Sequence, residues 1–116
     1  MSNNRIEKVN SLLEKEISKI IFRDFAYSPD VLVTLTRVDT TANLIEAKVF
    51  ISVFPDDKAD EMIKMLDKNI FDIQQKVNKT MRMRPVPRIK FVKDKVLSRA
   101  GKIEELLYKA KNENKD

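Results

Sequence analysis

Neither cysteine nor histidine occurs anywhere in the 116 residues. Their absence removes zinc sites built on thiolate or imidazole, cysteine nucleophiles and every Ser-His-Asp arrangement. Gly101 is the sole glycine, whereas average usage of about 7% would place roughly eight in a chain of this length. No glycine-rich loop is left to wrap a nucleotide phosphate, so nucleotide hydrolysis and dinucleotide redox chemistry drop out. No apolar run approaches the roughly 18 residues of a membrane span, and Met1-Ser2-Asn3-Asn4 leads into charged residues without the apolar core of a signal peptide. A cysteine-free chain also fits a reducing compartment. The expectation is a soluble, cytoplasmic protein, monomeric, with no membrane contact, no metal, no cofactor and no small-molecule substrate.

What is present is charge. Charged residues make up 35% of the chain and hydrophobic residues 42%, enough apolar material for one core at a length that predicts a single domain. Twenty-three Lys and Arg against eighteen Asp and Glu leave +5, and the excess is concentrated. Residues 76–95 hold Lys76, Lys79, Arg82, Arg84, Arg88, Lys90, Lys93 and Lys95 against Asp94, a net +7, which leaves −2 for the remainder. A localised positive field attracts polyanions by neutralising phosphates and releasing their counterions. Nucleic acid is the leading partner class; a protein-interaction module that binds an acidic protein partner is the alternative. Pro85 and Pro87 interrupt the block, so it cannot form one continuous interfacial helix on a membrane.

Between Arg5 and Phe22 the residues Ile6, Val9, Leu13, Ile17, Ile20 and Ile21 recur at helical spacing, with Leu12 widening the stripe and Asn3 or Asn4 available as cap. The β-branched run Val31–Val38 and the alternating run Leu44–Phe54 predict two strands, paired as an antiparallel hairpin through Asp39–Asn43. A long helix is expected from Lys58 to Met83 on the stripe Met62, Leu66, Ile73, Val77 and Met81. Twenty-six residues run straight would span about 39 Å, more than a domain of this size accommodates. A break is expected at Lys68-Asn69-Ile70-Phe71, because Asn69 falls where the stripe calls for an apolar residue. Arg88–Asp94 alternates as a third strand, Ser98 can cap a last helix carrying Ile103, Leu106, Leu107 and Ala110, and residues 111–116 form a polar tail expected to be disordered. The expected fold class is α+β, in the order α-β-β-α(kinked)-β-α, with the helices on one face of a three-stranded sheet and residues 4–110 in one domain.

Two stretches carry a family resemblance. One is Val33-Thr34-Leu35-Thr36-Arg37-Val38-Asp39 with Asn43-Leu44 and Ala47-Lys48-Val49-Phe50-Ile51-Ser52; the other runs from Met81-Arg82-Met83-Arg84-Pro85-Val86-Pro87 through Arg88-Ile89-Lys90-Phe91-Val92-Lys93-Asp94. Together with Arg5–Val9 and Glu16-Ile17 they resemble the ribosome-binding factor A family over Arg5 to Leu107. The resemblance implies a type II KH-like domain and a bacterial, non-enzymatic assembly factor. Such a factor binds the immature small (30S) ribosomal subunit and 16S rRNA, supports late pre-16S rRNA maturation and serves in cold adaptation. Ordinary KH domains clamp RNA with a Gly-x-x-Gly loop; the family replaces it by a helix kink, commonly Ala-x-Gly, which here reads Asn69-Ile70-Phe71.

The candidate RNA-binding residues are Lys76, Lys79, Arg82, Arg84, Arg88, Lys90 and Lys93, expected to converge on one phosphate-binding ridge, with Arg5 and Lys8 extending it from the first helix. Arg84, restrained by the following Pro85, is suited either to fork onto a phosphate or to pair with a neighbouring carboxylate. Phe50 and Phe54 share the side of their strand opposite Val49 and Val53; the core reading outweighs a base-stacking platform, since large aromatics bury. The carboxylates Asp56, Asp57, Asp60 and Glu61 sit at a helix start, where the dipole favours them, and lack a partner for catalysis.

Overall fold

The computed structural model describes residues 3–25 and 29–95. Its elements are α1 (Asn3–Phe25), β1 (Leu32–Thr40), β2 (Glu46–Phe54), a single 3-10 turn (Asp56–Lys58), α2 (Ala59–Lys68), α3 (Ile70–Thr80) and β3 (Arg88–Lys93). This is the expected α+β, type II KH-like order up to β3. The last helix expected after Ser98 and the polar tail lie outside the described residues.

The α1 stripe is as periodic as expected and one turn longer, ending on Phe25, which is buried with Val9, Leu13, Ile17, Ile20 and Ile21. Asn3 and Asn4 lie within the helix rather than ahead of it. Leu12 does not widen the stripe: it is half exposed, because one residue turns the helix by about 100° and carries it off the line of Leu13 and Val9.

β2 is the central strand, antiparallel to β1 and parallel to β3. A parallel neighbour requires a crossover, and α2 and α3 supply it. The helices cover one face, where Val38, Ala47, Val49, Ile51, Val53, Ile89 and Phe91 join the helical stripes in one core. β1 keeps its apolar residues on that face only by inserting one extra residue. Leu35 pairs with Ile51 and Arg37 with Phe50, so Thr36 is the bulge, and the alternation Val33, Leu35 resumes as Val38, Thr40 after it. Buried Thr40 is satisfied by Asn10 of α1, whose Oδ1 accepts its backbone N–H at 3.0 Å and its hydroxyl.

The break in the long helix falls on Asn69, which separates α2 from α3 with φ −104° and ψ 14°. Its Nδ2 donates to Met65 O at 2.8 Å, and its own carbonyl accepts from Ile73 N at 3.1 Å to start α3. An asparagine suits this post because its short amide adds a second, shorter bond to the carbonyl that its own backbone N–H reaches at 3.2 Å. The helix also stops earlier than Met83: Thr80 is the last helical residue and Met81 is extended and buried.

Among the described residues no helix lies on the second face of the sheet. Phe54 is 53% exposed there and Phe50 half-buried, so the core reading of these two rings is corrected. The described helices all lie across Ala47, Val49, Ile51 and Val53, and residues of the other parity are turned to the opposite face.

Candidate nucleic-acid interface

The exit of α3 is built by local hydrogen bonds. Met81 N and the Thr80 hydroxyl both donate to Val77 O, at 3.0 Å each. Arg84 then folds back on its own loop, its Nη1 donating to Met81 O at 2.8 Å and Met83 O at 2.7 Å. Among the described residues it makes no pair with a carboxylate; one edge of the guanidinium braces the turn while the residue stays exposed. Gln74 of α3 ties down the other end. Its Nε2 donates to Pro87 O at 3.1 Å and its Oε1 accepts from Ile89 N at 2.9 Å, so one amide grips the backbone on both sides of Arg88. Gln74 escapes a reading of the sequence, because it looks like any polar residue beside the Ile73–Val77 stripe and its partners lie 13 and 15 positions ahead.

Ion pairs engage two of the cations expected on the ridge. Lys76 Nζ lies 2.6 Å from Asp24 Oδ2, joining α3 to the end of α1, and Lys93 Nζ lies 3.5 Å from Asp56 Oδ1. Both are held by carboxylates that the sequence places far away. The Lys76 hydrogen bond holds the Asp24 carboxyl below the usual carboxylate range. Arg5 and Lys8 are exposed on the first turns of α1. The remaining residues fall into two sets: Lys79, Arg82 and Arg84 around the helix exit, and Arg88 and Lys90 on the open face of β3, all exposed. Asp94, the one acid of the block, is 5% exposed, with Thr36 Oγ1 donating to its Oδ2 at 2.6 Å. The negative charge is thus withdrawn from the surface and the exposed part of the block is wholly cationic.

Strand register adds residues that the sequence reading left out. Lys48 is the cross-strand partner of Lys90, and Phe50 that of Val92. On the other side, Asp39 faces Lys48 and Arg37 faces Phe50, with the guanidinium carbon 3.9 Å from the ring centroid. Arg37, Lys48, Arg88 and Lys90 share this face with Asp39 and Glu46, so cations outnumber acids. Neighbouring charges of one sign on a water-exposed sheet suit an anion with repeated charges. Among the described residues no cluster of acidic side chains could hold a metal ion, and no helix is long and apolar enough to cross a membrane.

Residues 5–107 match the family model described as ribosome-binding factor A. Ribosome-binding factor A of Clostridium perfringens (strain SM101) is 35% identical over 115 residues, which cover 96% of this chain and 98% of that one. That of Bdellovibrio bacteriovorus is 31% identical over 112 residues, 96% and 84% of the two chains. Among solved structures, the crystal structure of ribosome-binding factor A from Thermus thermophilus aligns with a TM-score of 0.64 at 17% identity, covering 76% of this chain and 94% of that one. A model of the Thermus thermophilus factor fitted into a cryo-EM map of its complex with the 30S subunit aligns at 0.58 and 19% identity, covering 72% and 88%. At these identities the structural likeness speaks for the fold.

Proposed function

The chain belongs to the ribosome-binding factor A family, and from that premise we propose that it is a non-enzymatic, cytoplasmic assembly factor. In this reading residues 4–110 form one RNA-binding domain that binds the immature small ribosomal subunit as a monomer, contacts 16S rRNA and supports late pre-16S rRNA maturation. The observation that carries the proposal is the set of exposed cations left after the ion pairs are drawn. Lys79, Arg82, Arg88 and Lys90 have no side-chain partner among the described residues, whereas Lys76 and Lys93 are engaged by carboxylates. Unpaired Lys and Arg neutralise phosphates at little cost, since no internal ion pair must be broken first. Arg84 contributes through position, with Nη1 bracing the loop and the rest of the guanidinium facing water.

Sedimentation of the purified protein with isolated small and large ribosomal subunits tests the reading. Binding to the small subunit alone is expected, with loss of about tenfold or more in affinity for the double variant Arg82→Glu, Arg88→Glu. Cells depleted of the protein should accumulate pre-16S rRNA. Equal binding of the double variant would overturn the phosphate contacts. Retention that survives removal of the rRNA and needs a particular acidic protein would replace the proposal by the protein-interaction reading.

A further inference from the structure

We infer that the open face of the sheet is a second RNA contact, a platform for a single-stranded segment, distinct from the helix exit. The inference rests on the reading of this chain as an RNA-binding protein and goes beyond it by assigning a separate surface and strand state. Its centre is the Arg37–Phe50 pair, with the guanidinium 3.9 Å from the centroid of a half-buried ring. The ring holds the guanidinium at stacking distance on the exposed face, and no ion pair engages it among the described residues. An unpaired base can stack on such a plane, as bases do on Arg and aromatic side chains of single-strand binders.

The surroundings supply the backbone contact. Lys48 lies one pleat repeat, about 7 Å, along β2 from Phe50 on the same face, and Lys90 stands directly across from it on β3, about 5 Å away. Two like charges directly opposite each other destabilise a sheet. Here they are tolerated with neither side chain engaged by an acid among the described residues, although Asp39 is the partner of Lys48 in the other direction. A phosphate between the two ammonium groups removes that repulsion. Arg88, next on this face of β3, extends the positive track toward the helix exit. A duplex presents no unstacked base to Arg37, so the platform selects single strands, while the exposed cations at the helix exit accept phosphates of either form.

Fluorescence anisotropy with a labelled ten-nucleotide oligouridylate and a sixteen-base-pair RNA duplex tests this. Two surface variants serve: Arg37→Lys, which keeps the charge and removes the plane, and Lys48→Gln. Thermal melting of each confirms that it folds. Each should weaken oligouridylate binding about fivefold or more and leave duplex binding within about twofold, whereas Arg82→Glu should weaken both. Unchanged oligouridylate affinity in Arg37→Lys and Lys48→Gln would overturn the platform while leaving the helix-exit contacts standing. Equal losses for duplex and single strand would overturn its selectivity, and competition by poly-L-glutamate as effective as by unlabelled oligouridylate would overturn RNA as the occupant. Failure of the wild-type protein to bind either RNA would count against the ribosomal RNA reading itself.

Discussion

Phe50 and Ile51 are neighbours in β2 and do opposite work. Ile51 is fully buried under the helices, while Phe50 lies beneath Arg37 on the face that none of the described helices covers. The covered face is apolar and closed by α1, α2 and α3; the open face carries Arg37, Lys48, Arg88 and Lys90. The difference teaches that one strand can hold the fold together with alternate residues and leave the others free for the surface proposed to bind RNA. On that proposal, stability and recognition are separated by the period of the strand rather than by position along the chain.

The separation is open to a direct break. Ile51→Ala should cost about 2–5 kcal/mol, the loss of a fully buried aliphatic side chain plus the cavity it leaves. Phe50→Leu, one residue away, should cost less than about 1.5 kcal/mol. Urea denaturation measures both, and similar costs would erase the distinction between the faces. Gln74→Leu should cost about 1–3 kcal/mol, because Pro87 O and Ile89 N lose their shared partner. It is the one substitution on the covered side expected to reach across, weakening RNA binding as well by freeing the backbone that positions Arg88.

Smaller effects sharpen the picture. Asn69→Ala removes the side-chain bond to Met65 O and leaves the backbone one, so it should lower stability by about 0.5–1.5 kcal/mol, with RNA affinity unchanged in the anisotropy assay. The smallest effect is a pH dependence. Lys76 lowers the folded-state pKa of Asp24 beneath its ordinary 3.8, so the pair's contribution is fully present above that value and is lost as pH falls through the folded-state value. Melting temperature followed from pH 6 to pH 2 should therefore drop less steeply below about pH 4 in Asp24→Asn than in the wild type, and coincident curves would show that the pair contributes nothing.

Local periodicity made the α1 stripe, the three strands and the break at Asn69 legible, because each follows from spacing within a few residues. The candidate interface was less legible because it is assembled at long range. The 76–95 block looked like one ridge, yet Lys76 answers to Asp24, 52 positions away, and Asp94 is buried against Thr36, 58 positions away. Lys48 and Arg37 sat inside a stretch of unremarkable charge, and only the register of β2 with β1 and β3 sets them beside Phe50 and Lys90. Phe54 was weighed as core on its size, but its parity on β2 puts it with Phe50 on the uncovered face. Parity alone does not say which face the helices choose; that choice is made by the apolar stripes of α1, α2 and α3 packing on the Val49 and Ile51 side.

The central claim is that exposed cations of the helix exit and the open sheet face bind rRNA phosphates of the small subunit. The most direct test is the dependence of small-subunit affinity on salt, plotted as log K against log salt concentration for the wild type and for Arg82→Glu, Arg88→Glu. The account predicts a linear decline whose slope becomes shallower by about 1 for each phosphate contact removed. An affinity indifferent to salt, or a slope identical in the two proteins, would contradict it.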